Sequence, residues 1–192
     1  MTPCDGENAV RFARKVIESE TGKGSMPQIP DEGFDARSGV FVTLNTHPEH
    51  ELRGCIGIPY PVMPLSMALE EAARSACHDP RFPDLSADEV DGVTVEVTIL
   101  SEPVPICLPA SELPSAIEIG RDGLMIAFRG RRGLFLPQVP VEQGWDTLEY
   151  LDMLCVKAGL PPGTWRMDDA EISSFRGEIF HEVSPNGEIM KG

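Results

Sequence analysis

The chain has 192 residues, 41% of them hydrophobic and 24% charged, a composition typical of an ordinary globular protein. Its net charge of −15 opposes binding to nucleic-acid phosphates and to anionic lipid over most of the surface. No apolar run approaches the roughly 20 residues that span a bilayer, and the first 20 residues contain no apolar signal core. We therefore expect a cytoplasmic protein that binds neither membranes nor nucleic acid.

The cysteines and histidines give no metal or disulfide pattern. The five cysteines are scattered and form no C-x-x-C pair, so neither a zinc finger nor a disulfide framework is predicted. His47 and His50 flank a proline and a glutamate in a predicted loop, but no third ligand is apparent, and we expect no native metal. No nucleotide-binding glycine motif follows a strand, and no cofactor is expected. The basic residues Arg129, Arg131 and Arg132 are interpreted as an exposed hairpin tip.

Apolar periodicity predicts the elements in chain order. The predicted helices cover residues 7–20 and 65–78 and a segment that begins at the capping box of Asp146 and ends at Gly159. A second capping box, Ser86 with Glu89, predicts a short helical turn. The predicted strands are residues 40–46, 52–58, 93–100, 124–129, 134–136 and 172–183. Residues 136–145 contain two prolines and are expected to form a rigid loop.

The order of these elements indicates a fold class. Strands come in adjacent pairs, and helices stand between the pairs without strict alternation. This arrangement predicts an α+β fold, with a mostly antiparallel sheet and helices packed on it.

The segment Leu52-Arg53-Gly54-Cys55-Ile56-Gly57 is the strongest candidate for a functional site. Alternation along a strand places Arg53, Cys55 and Gly57 on one face. Glycines weaken a strand interior, so Gly54 and Gly57 indicate close approach of a ligand or of another backbone. An arginine beside a cysteine favours the thiolate. The alternative is a small buried cysteine in a tightly packed sheet, with Arg53 paired to an acid; residue types alone favour it.

Five further positions are candidates. Asp79 and Arg81 are predicted to form an ion pair that fixes the loop after the second helix. His78 either ends that helix or reaches the thiol of the motif. Glu96, the lone acid on the polar face of its strand, either orients Arg53, acts as a general base, or is a surface residue. Gln138 can offer its amide to a ligand, whereas Trp145 is expected to pack on the core.

These motifs closely resemble those of the AMMECR-domain family, in the family's order and over nearly the whole chain. The matching segments are residues 39–44, 52–57, 79–82, 96–97, 123–124, 136–140, Trp145 and residues 157–160. The six residues 52–57 are the most specific of them. The resemblance implies a single module over residues 1–192 of the stand-alone prokaryotic form, with a larger and a smaller lobe and a cleft near residues 52–57.

The resemblance also implies partners. Prokaryotic members look like component A of a system that contains a Memo-like protein and a radical S-adenosylmethionine protein, to which any iron–sulfur chemistry would belong. The ligand and the reaction stay open. One hypothesis is an enzyme or enzyme subunit, with Cys55 as nucleophile or substrate ligand and Glu96 as acid or base. Its binding residues would be Arg53, Gly54, Gly57, Asp79, Arg81 and Gln138. The other hypothesis is a non-catalytic adaptor for the same partners.

Overall fold

The computed structural model describes residues 3–29 and 33–192, and the chain forms two compact units. Unit 1 runs to Leu100 and resumes at Glu178, and unit 2 comprises Ser101–Gly177. The helices are α1 Pro3–Glu20, α2 Leu65–Cys77, α3 Gln138–Gln143 and α4 Thr147–Lys157. The strands are β1 Val40–Thr46, β2 Leu52–Ile58, β3 Val93–Leu100, β4 Val104–Pro105, β5 Gly123–Phe128, β6 Arg131–Phe135, β7 Glu171–Phe175, β8 Gly177–Glu182 and β9 Ile189–Lys191.

The helices and the two sheets formed by these strands confirm the predicted α+β fold. Within the described ranges, no helix combines the length and the apolar character needed to cross a membrane.

Unit 1 is built on a five-stranded sheet in the order β2-β1-β3-β8-β9. β1 lies between β2 and β3 and is antiparallel to both. Val40, Val42 and Leu44 are fully buried, whereas the residues that alternate with them on β1 are partly exposed. The two faces of the sheet therefore differ, as the period of two predicts.

Helices α1 and α2 pack on the buried face of this sheet. α2 begins directly after Pro64, and its buried side includes Leu65, Leu69, Ala72 and Ala76. These are the residues whose helical spacing predicts one apolar face. The core of unit 1 therefore lies between the helices and one face of the sheet, and the opposite face carries the polar residues of β1, β2 and β3.

A buried ion pair fixes α1 to the sheet. The side chains of Arg14 and Glu182 are each 3% exposed and are joined by two hydrogen bonds. Arg14 also donates to the carbonyl oxygens of Val90 and Val93, at 3.0 and 2.6 Å. Glu182 accepts the N–H of Val95 at 3.0 Å. Each charge in the pair is therefore compensated by hydrogen bonds, which burial of an ion pair requires.

Unit 2 is built on a four-stranded sheet in the order β4-β7-β5-β6. β5 and β6 form the predicted hairpin, which turns at residues 129–130. α4 begins with the predicted capping box, in which Asp146 accepts the N–H of Glu149 while the Glu149 carboxylate accepts the N–H of Asp146. Its buried residues, including Leu151 and Leu154, pack in the core of the unit with β5 and β6.

Two predicted elements of the sequence are wrong. Residues 172–183 form two strands, β7 and β8, which belong to different sheets and are separated at Arg176. Residues 138–143 form the short helix α3 instead of a loop. The final strand β9 was not predicted. α1 begins at Pro3, four residues before the predicted start at residue 7.

Candidate functional site

The two glycines of the motif on β2 are required by close approaches on opposite faces of the strand. A Cβ atom on Gly54 would lie 2.4 Å from the backbone oxygen of Ala76, at the end of α2. A Cβ atom on Gly57 would lie 2.3 Å from the ring of Phe41 on β1. The predicted close approach is therefore met by the chain itself at both positions.

Cys55, Thr43 and Glu96 form a row across three neighbouring strands, which we call the thiol row. Thr43 on β1 pairs with Cys55 on β2 and with Glu96 on β3. Paired residues of neighbouring strands point to the same face, here the face opposite the helices. The Thr43 hydroxyl donates to the Cys55 sulfur, with 3.3 Å between Oγ1 and Sγ. The thiol and the carboxyl therefore flank one hydroxyl on a partly buried surface.

The carboxyl of Glu96 is unusual among the acids of unit 1. Burial raises its pKa above the ordinary value, and the charge of His181 on β8 opposes that shift. Among residues 3–29 and 33–192, no hydrogen bond or ion pair to this carboxyl is present, although its oxygen atoms are not fully buried. It is therefore placed to exchange a proton or a hydrogen bond with a bound group.

Asp79 and Arg81 hold the backbone of Cys55. β2 is an edge strand, so one of its sides has no neighbouring strand. The Asp79 carboxylate accepts the N–H of Cys55 at 2.9 Å, and Arg81 Nη2 donates to the carbonyl oxygen of Cys55 at 3.3 Å. The two side chains therefore satisfy the backbone groups that a further strand would satisfy.

The ion pair between Asp79 and Arg81 is the predicted one. Arg81 Nη2 lies 2.6 Å from Asp79 Oδ2, and the Asp79 side chain is 1% exposed. The hydrogen bonds from the Arg81 side chain, together with the N–H groups of Cys55 and Arg81, hold the pKa of Asp79 well below its usual range. Asp79 is consequently a charged anchor for the loop after α2 at neutral pH.

Arg53 is held by Glu89. The Arg53 Nε and Nη2 atoms donate to the two Glu89 oxygens, at 3.0 and 3.2 Å. Ser86 donates both its N–H and its hydroxyl to Glu89, each at 2.9 Å. The Arg53 hydrogen bonds, followed by those from Ser86, lower the pKa of Glu89 to about 2. The guanidinium groups of Arg53 and Arg81 lie 6.0 and 5.7 Å from the ring centre of Phe82.

This pairing decides between two of the sequence hypotheses. The expectation that Glu96 orients Arg53 is wrong, because the acid that pairs with Arg53 is Glu89, on the turn that precedes β3. Of the alternative, the pairing of Arg53 with an acid is observed, whereas Cys55 is partly exposed and not buried. The Arg53 charge is therefore compensated within unit 1.

His78 and Cys77 do not serve the thiol row. The His78 ring lies between two carboxylates, with Nδ1 3.0 Å from Asp84 and Nε2 3.2 Å from Glu20. The hydrogen bond to Asp84, followed by that to Glu20, raises the His78 pKa. His78 caps α2, as the sequence favoured. Burial raises the pKa of Cys77 to about 12, so this thiol forms little thiolate near neutral pH.

Gln138 and Trp145 belong to unit 2, whereas the other predicted site residues belong to unit 1. Gln138 is the first residue of α3 and is exposed. Trp145 packs against Phe135, with 5.4 Å between ring centres, which confirms its expected place at the core of unit 2. In the part of the chain that the structure describes, no three His, Cys, Asp or Glu side chains are placed to hold a metal ion.

Comparison with known proteins finds relatives along nearly the whole chain. A model of the AMMECR1 family matches residues 10–180. The chain belongs to the AMMECR1 family. Protein MJ0810 of Methanocaldococcus jannaschii is 51% identical to it over 194 residues, which cover 100% of this chain and 96% of the relative. A relative from Aquifex aeolicus is 45% identical over 167 residues, 86% of each chain.

A solved structure has the same fold. The crystal structure of uncharacterized protein PH0010 from Pyrococcus horikoshii is 43% identical to this AMMECR1 chain in sequence. It matches with a TM-score of 0.80 over 97% of this chain and 96% of the other. The resemblance seen in the sequence motifs is therefore confirmed at the level of family and fold.

Sequence reasoning missed three residues of the candidate site. Thr43 alternates with buried valines on β1, which indicates its face but not the strand residues opposite to it. Glu89 belongs to a predicted capping box, and that signal explains its bond to Ser86 but not its bond to Arg53. His181 lies in the segment that was predicted as one strand, and no local pattern links it to Glu96.

Proposed function

We propose that this AMMECR1 chain acts through the thiol row, as the thiol-bearing component of a modification system. Cys55 is the nucleophile or the substrate ligand, and Glu96 gives and takes the proton. The observation that supports this is the Glu96 carboxyl, which has a raised pKa and no internal partner among the described residues. A carboxyl with a pKa closer to neutrality is a better acid–base catalyst at physiological pH.

The spacing of the thiol row suits a small substrate. Neighbouring strands lie about 4.8 Å apart, so the backbones of Cys55 and Glu96 are separated by about 10 Å. Their side chains project from the same face of the sheet, so the gap between them spans a few heavy atoms. The Thr43 hydroxyl lies beneath it and donates to the sulfur, a hydrogen bond that a thiolate accepts more strongly than a thiol does.

The other predicted site residues give the thiol row its shape. Gly54 allows α2 to approach β2, and Gly57 leaves room for an aromatic ring. Asp79 and Arg81 fix the Cys55 backbone. In this proposal they are positioning residues, and Cys55 and Glu96 are the groups that touch the substrate.

Electrostatic coupling between thiol and carboxyl tests the proposal. Two charges about 10 Å apart interact by about 0.4 kcal/mol even at the dielectric constant of water, which is about twofold in thiolate population. Removing the Glu96 charge in Glu96→Gln should therefore speed alkylation of Cys55 by at least about twofold near pH 7. The rate is measured on the Cys55 peptide by mass spectrometry after timed iodoacetamide treatment.

The matched control is Glu71→Gln, which removes an exposed acid on α2. It should leave the alkylation rate of Cys55 unchanged. An unchanged rate in Glu96→Gln, or an equal effect in both variants, would show that the carboxyl does not act on the thiol and would remove the basis of the proposal.

The proposed partners are a Memo-like protein and a radical S-adenosylmethionine protein, and their support is the family resemblance. A non-catalytic adaptor for these partners is the second candidate. It is favoured by the internal pairing of both arginines near the motif, Arg53 with Glu89 and Arg81 with Asp79. Groups paired in this way shape a surface, and they are not free to anchor an anionic substrate.

Co-expression of the chain with both partner proteins separates the candidates. If the row is catalytic, Cys55→Ser should retain the partners in a pull-down and Arg53→Ala should do the same. If the surface is an adaptor, Arg53→Ala should lose them. Arg129→Ala is the control, because Arg129 is an exposed arginine paired with Asp169 in unit 2. Failure of the wild-type chain to retain either partner would refute the proposed partnership.

A further inference from the structure

A second candidate site lies in unit 2, outside the residues of the motif on β2. A pocket of about 280 Å³ is lined by Ser101, Val104, Ile106, Ser174, Phe175 and Arg176, and we call it the Arg176 pocket. This volume is at the small end of the range for small-molecule sites. It therefore suits a ligand of few heavy atoms.

The backbone of Arg176 is fixed, and its guanidinium donates no hydrogen bond across the described ranges. The N–H of Ser101 donates to the Arg176 carbonyl oxygen at 2.8 Å, and the Ser101 hydroxyl accepts the Arg176 N–H at 2.9 Å. The Arg176 side chain is 64% exposed and forms a long ion pair with Asp122, with 3.8 Å between Nε and Oδ1. The guanidinium donors are therefore available to a ligand.

Asp122 does not accept a hydrogen bond from Arg176, because its carboxylate already accepts hydrogen bonds from other groups. Its buried carboxylate accepts two hydrogen bonds from Arg121, at 2.9 and 2.7 Å, and one from the N–H of Glu118 at 2.9 Å. Arg121 in turn also donates to the Glu118 carboxylate. Of the two arginines at the pocket, Arg121 is therefore occupied and Arg176 is the one with free donors.

We propose that the Arg176 pocket binds a small organic anion, with its oxyanion on Arg176 and a short apolar body against the pocket wall. A guanidinium with free donors recognises carboxylate or phosphate oxygens through paired hydrogen bonds. Ser174 adds a hydroxyl, and Val104, Ile106 and Phe175 supply apolar surface. Arg121 pairs with both Glu118 and Asp122, which leaves one negative charge that Arg176 offsets. Recognition of an anion therefore depends on the free hydrogen-bond donors of Arg176 and not on a net positive charge.

The site is tested by NMR titration of the full ¹⁵N-labelled chain. The probes are sodium isovalerate, isopentyl phosphate and isopentyl alcohol, with sodium chloride used to match ionic strength. The proposal expects saturable shifts of the Arg176 and Ser174 signals with one or both anions and none with the alcohol. Saturation with isovalerate alone assigns a carboxylate head group, and saturation with the phosphate ester alone assigns a phosphate.

Variants link the binding to the pocket. Losing a charged hydrogen-bond partner should weaken anion binding on the order of tenfold or more in Arg176→Gln. Arg129→Gln, the exposed arginine elsewhere in unit 2, should bind as the wild type does. Ser174→Val, which leaves Arg176 in place, should weaken binding less. Absence of saturable binding by both anions, or equal binding by Arg176→Gln and wild type, overturns the proposal.

Discussion

Replacing Asp79 with alanine tests whether the loop after α2 holds the backbone of Cys55. The substitution removes the acceptor of the Cys55 N–H, at 2.9 Å, and of the Arg81 N–H, at 3.1 Å. A buried donor left without a partner costs about 1–3 kcal/mol, and these two N–H groups are partly buried, so each should cost about 1–2 kcal/mol. The Arg81 side chain is 55% exposed and can be rehydrated, so its side-chain hydrogen bonds are not counted. The expected loss of unfolding free energy is about 2–4 kcal/mol.

The loss should depend on pH in a defined direction. The Asp79 pKa is lowered in the folded chain, so its stabilising effect is complete above the unfolded value of about 3.9 and is lost as pH falls through the folded value. The difference between wild type and Asp79→Ala should therefore be full at pH 7 and should shrink below about pH 4.

Urea unfolding followed by far-ultraviolet circular dichroism measures the free energy at each pH. Hydrogen exchange of the peptide that covers β2 should also accelerate, because the Cys55 N–H loses its acceptor. Asp88→Ala is the control, since Asp88 is an exposed acid of the same loop. A loss below about 1 kcal/mol in Asp79→Ala, or an equal loss in the control, would refute the reasoning.

Three further substitutions follow from the contacts in unit 1. Gly54→Ala should cost about 1–3 kcal/mol in urea unfolding, because its Cβ would lie 2.4 Å from the Ala76 oxygen; wild-type stability would contradict this. His78→Gln should remove a stabilisation that is present below pH about 6.5 and is lost as pH rises through the raised folded pKa; a pH-independent difference in thermal melting would contradict it. Glu182→Gln should cost about 3–5 kcal/mol, because it leaves the charge of Arg14 buried without its acid. The double variant Arg14→Gln with Glu182→Gln removes both charges but keeps hydrogen-bonding groups for the backbone of Val90, Val93 and Val95. It should recover part of that loss in the same assay, and no recovery would argue against the ion pair as the cause.

The strands of unit 1 are the part of the fold that the sequence predicts most closely. The bounds of β1, β2 and β3 are those predicted from alternation. Val40, Val42 and Leu44 are buried, as their spacing requires. This success has a local cause, because a strand with one buried face records that face in every second residue.

Other elements depend on information that periodicity does not carry. Residues 172–183 were predicted to be one strand, yet the chain changes sheets at Arg176, because the local sequence does not identify a strand's neighbour. The prolines that argued against structure in residues 136–145 lie at Pro137 and Pro140, before and within the first turn of α3. N–H groups in a first turn have no helical partner, so proline is tolerated there.

The candidate site also combines contacts that the sequence predicts with contacts that it does not predict. The shared face of Arg53 and Cys55 follows from alternation. The ion pair between Asp79 and Arg81 was also predicted, because the two residues are close in sequence, and it is observed. In contrast, the bond from Arg53 to Glu89 joins residues 36 positions apart, and the thiol row depends on the register of three strands. Such pairings are set by tertiary structure and leave no local signal.

The hydrogen bonds between Ser101 and Arg176 have a consequence for the evolution of the chain. Both residues are at the ends of unit 2, which interrupts unit 1 between β3 and β8, two neighbouring strands of one sheet. The entry and exit points are thus clamped together in both directions. A domain inserted through two adjoining ends can lengthen, shorten or exchange its loops without altering the spacing of its host. Changes of loop length within unit 2 can therefore be accommodated while the sheet of unit 1 keeps its register.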